Sequence, residues 1–233
     1  MAAPPAAPKR DPWALPDVSG VTVGVLGGTG EQGRGLASRW ARAGQRVIIG
    51  SRDPGRAAAA ALEVGFGATG LGNRDCARDS EVVVVAVPWA GHGELLAELA
   101  DVLAGKIVID CVNPLGFDAA GAYPLGVPEG SAAEQAAMLL PDSRVVAAFH
   151  HVSAVTLLDV SLAEVEMDVL VLGDDRDATD LVQALAGRIP GIRGLYAGRL
   201  RNTHQVEALT ANLISLNRRY RAHAGIGVTG VSG

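Results

Sequence analysis

Cysteine is nearly missing from this chain. Cys76 and Cys111 are the only two, with no CxxC pair and no Cys/His cluster at ligand spacing, so neither a disulfide framework nor a metal site is expected. Lysine is equally scarce, with Lys9 near the start and Lys106 mid-chain, which leaves no catalytic lysine for the C-terminal third. A formal net charge of −5 has the wrong sign for a general nucleic-acid binder, whose phosphate affinity comes from surplus lysine and arginine. Long apolar runs are also missing. The longest, such as VVVVAV at 82–87, are far short of the roughly 20 residues that a membrane helix needs. The opening MAAPPAAPKRDPWALPD is rich in alanine and proline and broken by charge, without the apolar h-region of a signal peptide. It reads as a disordered arm over residues 1–19, on a protein suited to a reducing cytoplasm.

What remains is an ordinary globular composition, 48% hydrophobic and 19% charged over 233 residues, enough for one main domain and an appendage. From Val21 onward, short β-branched runs alternate with longer helical stretches: VTVGVLG, RVIIG, EVVVVAVP and KIVID are strands, with helices between them. Continuous apolar strands joined by helical crossovers predict an α/β fold with a doubly wound parallel sheet, here over residues 20–198. A Gly- and Pro-dense connection at 111–131 has the length of a lid or pocket wall. Residues 199–233 form a helical appendage in which Val206, Leu209, Leu213, Leu216 and Tyr220 step by three and four along one face, a stripe that must dock on the main domain or on a second subunit.

GGTGEQG follows the first strand and opens the first helix, setting Gly28, Gly30 and Gly33 as G-x-G-x-x-G. In that context the spacing has a mechanism: a tight turn, close approach of backbone to a pyrophosphate, and close packing of helix on strand. The helix start adds free N–H groups and a positive dipole end. This is a Rossmann dinucleotide-binding fingerprint. The next strand ends where many such domains carry an acid for the ribose, but the chain there reads Ser51 and Arg52, with Arg56 one turn on. A guanidinium grips phosphate through paired hydrogen bonds and a serine hydroxyl adds a donor, so the site favours NADP over NAD. The competing reading is two solvated arginines at a helix start, with Asp53 beside them.

Several blocks outside this fingerprint, AVPWAGH, IDCVNPLGF, GSAAEQAA, AFHHVSA and RNTHQVEALTANLISLNRRYRAHAGIGV, make the chain from about residue 21 to its end resemble the F420-dependent NADP oxidoreductases. The resemblance implies hydride transfer between NADP(H) and the deazaflavin of coenzyme F420, with ring positioning rather than an acid or base as the means. It also implies roles by position. Thr29, Gly30, Glu31 and Gln32 line the pyrophosphate; Ser51, Arg52 and Arg56 take the 2′-phosphate; Val87 and Pro88 lie on the nicotinamide side. Asn113, Pro114, Val152, Ser153 and Ala154 border the cleft where the rings meet. A homodimer is implied as well, and the role of His92 stays open. An NADPH-dependent flavin or ferric reductase, or an NADP-sensing module, are the rival readings.

His150 and His151 invite a catalytic role together with Ser153. At a strand end their side chains would point to opposite faces, putting at most one in the cleft, and a packed histidine is the competing reading. Arg199, Arg201, Arg218, Arg219 and Arg221 against the single acid Glu207 make a basic segment that would steer an acidic cofactor tail. A merely solvated helix face is its alternative.

Overall fold

β1 (Thr22–Leu26), α1 (Glu31–Arg42), β2 (Arg46–Ser51) and α2 (Pro54–Val64) follow one another as the pattern predicts in the computed structural model, which describes residues 11–231. Residues 1–10 of the expected arm lie outside that range. Those that follow lie against the body, where Val18 is buried in the core and its carbonyl accepts from Gln45 Nε2 at 2.8 Å.

Beyond α2 come β3 (Thr69–Gly72), α3 (Asn73–Arg78), β4 (Val82–Val85), α4 (His92–Leu103) and β5 (Ile107–Asp110). The 111–131 connection contains the antiparallel hairpin β6 (Leu115–Asp118) and β7 (Gly121–Pro124). After it stand α5 (Ala132–Leu139), β8 (Arg144–Ala147), α6 (Ala154–Leu158), β9 (Met167–Gly173), α7 (Arg176–Gly187), β10 (Ile192–Gly198) and α8 (Thr203–Tyr220).

Eight strands form one sheet in the order β10-β9-β8-β5-β4-β1-β2-β3. All pairings are parallel except β8 with β9, where Val146 faces Gly173. The expected parallel sheet therefore has one reversal. A parallel return needs a crossover that retraces the strand, whereas α6 has five residues and rises only about 7 Å.

Both faces of the sheet are covered, as the unbroken apolar strands require. Val82 and Val84 enter one core layer with Trp40 and Phe149, while Val83 and Val85 enter the other with Leu96, Leu99 and Leu103. Across the first layer, Trp40 stands edge-on to Phe149 with ring centroids 5.4 Å apart. The buried guanidinium of Arg39 on α1 donates to four carbonyls of the α6 segment, those of Thr156, Leu157, Asp159 and Leu162, at 2.7–2.9 Å. One side chain thereby satisfies carbonyls at the end of α6 and in the loop that follows it. Among the described residues no helix is long and apolar enough to cross a membrane.

Candidate active site

The sheet ends β1, β4, β5 and β8 open onto one cleft of about 600 Å³, the usual position for a ligand in an open α/β sheet. On its nucleotide side the chain leaves β1 through Gly27, not Gly28, as the residue with the left-handed backbone, φ 75°. A Cβ at Gly27 would sit 2.4 Å from the Ala86 carbonyl oxygen, and one at Gly33 would sit 2.7 Å from the Gly27 oxygen. The tight turn and the close packing are therefore real, with the first displaced by one residue. Gly30 stands at the N-cap of α1 and offers no side-chain cap, so the first-turn N–H groups are available to an anion. Gly30, Glu31 and Gln32 line the cleft. Gln32 Nε2 also donates to the Phe149 carbonyl at 3.3 Å. Thr29 completes the same turn.

Gly28 N donates to the Gly50 carbonyl at 3.3 Å, which sets Ser51, Arg52 and Arg56 beside this turn. Asp53, the acid that complicated the sequence reading, is occupied as the cap of α2, accepting from Gly55 N at 2.8 Å and Arg56 N at 3.2 Å. Ser51 is buried and its Oγ accepts from Asp53 N. Arg52 and Arg56 are exposed, and neither guanidinium has a hydrogen-bond or ion-pair partner among the described residues.

The opposite wall brings together Val87, Pro88, Asn113, Val152, Ser153 and Ala154, while Pro114 is buried just behind it at the foot of the hairpin. Ser153 caps α6, its Oγ accepting from Thr156 N. His150 and His151 both border the cleft, which corrects the expectation that at most one does. β8 ends at Ala147, and Phe149, at φ 64°, turns the chain before the histidines, so strand alternation does not govern them. Both are buried. Burial lowers each imidazole to about 4, leaving them neutral. The Leu170 amide donates to His151 Nε2 at 3.3 Å, which places that ring's proton on Nδ1. The His150 carbonyl accepts from Asn113 Nδ2 at 2.8 Å and Thr210 Oγ1 at 3.2 Å, joining three segments of the wall.

Residues 22–114 match the family model for NADP oxidoreductase, coenzyme F420-dependent. The F420-dependent NADP reductase of Methanothermobacter marburgensis is 40% identical over 219 residues, covering 89% of this chain and 97% of that protein. That of Methanothermobacter thermautotrophicus is 41% identical over the same length, covering 94% of that protein. The chain belongs to the F420-dependent NADP reductase family. A crystal structure from Arthrobacter sp. FB24, bearing the name of an F420-dependent NADP reductase, superposes with a TM-score of 0.78 at 27% identity, over 90% of this chain and 99% of that one.

Other residues of the cleft are ones the sequence reading does not single out. Thr210, Leu213, Ile214 and Asn217 of α8 line the cleft, whereas the apolar stripe picked out by spacing shares only Leu213 with them. Leu216 and Tyr220 of that stripe are exposed. Cys111 also lines the cleft; burial raises its thiol, which donates to the Val85 carbonyl at 3.0 Å. Below the cleft floor, fully buried His92 places Nε2 against Asp110 Oδ2 and Nδ1 3.0 Å from Gln135 Oε1. Asp110 Oδ1 accepts from Val112 N at 3.0 Å, fixing the bend that carries Asn113. Glu207, counted as the acid within the basic segment, is instead buried and accepts from Ala132 N at 3.1 Å and Ala133 N at 3.2 Å, capping α5.

Proposed function

We propose that this protein transfers a hydride reversibly between NADP(H) and coenzyme F420, using the cleft to hold two rings face to face. When bound, the two coenzymes supply the hydride donor and acceptor. The chain's part is binding, orientation and exclusion of water. The carrying observation is the junction, in one cleft, of an uncapped glycine turn with a wall of neutral and apolar groups that includes two uncharged histidines. In this reading the first-turn amides of Glu31 and Gln32, with Thr29, hold the pyrophosphate, and Ser51, Arg52 and Arg56 hold the 2′-phosphate. Val87 and Pro88 back the nicotinamide. Asn113, Val152, Ser153 and Ala154 border the deazaflavin, and the neutral His150 and His151 keep its surroundings uncharged.

Residues 20–198 act as the nucleotide-binding domain, and 199–233 complete the deazaflavin side. The exposed Leu216 and Tyr220 suit a homodimer contact, which light scattering of the purified protein tests. Two buried free cysteines suit the cytoplasm.

The deciding assay mixes protein with NADPH and, in separate cuvettes, F420, FMN or ferric chelate. Loss of the deazaflavin's visible absorption at a rate well above that of FMN or iron reduction is the expected outcome. Turnover of only FMN or iron would overturn the assignment, and tight NADPH binding without any turnover would make the protein a sensor.

A further inference from the structure

A second groove, about 620 Å³, runs between the β6–β7 hairpin and the last turns of α8. Ile214 lines both this groove and the main cleft, so one opens toward the other past a single side chain. The groove is lined by Arg218, Arg219 and Arg221, with Asp118 as its acid. That carboxylate is already engaged within the hairpin, where Oδ1 accepts from Ala120 N at 2.7 Å and Gly121 N at 3.1 Å.

The three guanidiniums are exposed and have no acid partner among the described residues. Elsewhere arginines are commonly matched, as in Arg34 with Glu63, Arg74 with Asp101, Arg176 with Asp180 and Arg193 with Asp168. Arg199, part of the same basic segment, is also matched, to Asp174 at 3.3 Å. Arg201 is unmatched among the described residues but lies outside the groove, so of the segment's five arginines three unmatched ones gather there. Arg221 takes the left-handed position that ends α8, φ 52°, a place where glycine or asparagine is the cheaper residue.

We infer that this groove is a subsite for a flexible polyanionic chain trailing from the ring bound in the main cleft. Resting on the F420 assignment above, the occupant is that coenzyme's phosphodiester and oligoglutamate tail. Arg218, Arg219 and Arg221 receive its phosphate and carboxylates through charge-assisted hydrogen bonds, and the hairpin forms the far wall. Arg199 and Arg201 take no part.

The test compares two acceptors, F420 with its glutamate tail and the tail-less core bearing only the ribityl chain. Each is assayed with wild type and with the double variant Arg218→Ala/Arg219→Ala. Wild type is expected to favour the tailed acceptor in KM, and the variant to reduce that preference about tenfold while losing most of its salt dependence. Direct titration of F420 fluorescence should show the same change in Kd. An unchanged ratio of KM values for the two acceptors would overturn the subsite, whether or not both KM values move together. Failure of wild type to reduce either acceptor would instead remove the F420 assignment itself, and the subsite with it.

Discussion

His92 Nε2 lies 2.6 Å from Asp110 Oδ2, and both side chains are wholly shielded from solvent. Burial alone would lower the imidazole's pKa; the hydrogen bond and charge of Asp110, helped by Gln135 and Glu207, outweigh it, and the pKa is raised. Removing one partner of a buried pair strands the other, which typically costs about 3–5 kcal/mol. His92→Ala should therefore lower the unfolding free energy by that order in urea titrations. Since a raised histidine stabilises the fold below its ordinary pKa and loses that contribution as pH rises through the folded value, the deficit should shrink toward alkaline pH. A deficit under about 1 kcal/mol at neutral pH would show the pair to be dispensable.

Glu207 makes a separate pH prediction. Burial drives its carboxyl up to about 7, with the charge of Asp110 adding to the effect and the amides of Ala132 and Ala133 opposing it. An acid with a raised pKa contributes stability in full below its ordinary 4.5 and loses it as pH climbs through about 7. Glu207→Gln cannot ionise. The stability of wild type relative to this variant should fall by roughly 3 kcal/mol across that window. Parallel denaturation curves at both ends would mean that the carboxyl titrates normally.

Arg52→Ala should raise the Kd for NADPH about ten- to a hundredfold and leave NADH almost unchanged, since a charge-assisted phosphate contact is lost and nothing else is. Arg56→Ala should act in the same direction. Isothermal titration with both nucleotides checks this, and equal weakening of the two would return these arginines to the solvated surface.

Gly27→Ala places a methyl group against the Ala86 carbonyl at a positive φ. The change should cost at least about 2 kcal/mol and weaken NADPH with it. Gly187→Ala, whose Cβ meets nothing within 4 Å, serves as the control and should leave the thermal midpoint unchanged or slightly higher.

These residues divide by how much of their role is local. The first two βα units and Ser51 with its arginines follow from adjacent positions and short periods, as does the glycine turn to within one residue, Gly27 standing where Gly28 was expected. Thr69–Gly72 did not, because two glycines in four residues contradict strand propensity, and its pairing with β2 comes from register with Ile48 through Ser51. The reversal at β8 and β9 has no periodic signature, since strand direction does not alter alternation. His92 and Asp110 are 18 positions apart and Glu207 is 75 from Ala132, distances over which composition says nothing. The histidine geometry was misread because a strand was extended past Ala147 into a turn set by Phe149.

Arg39 reaches from α1 to the carbonyls of the segment that follows Ser153. The helix whose first turn faces the nucleotide side is thus bolted to the rim of the acceptor side. Neither half of the cleft should melt first. Amide exchange at α1 and at residues 154–162 should share one opening free energy, so that mild heat or denaturant removes both binding functions in a single step.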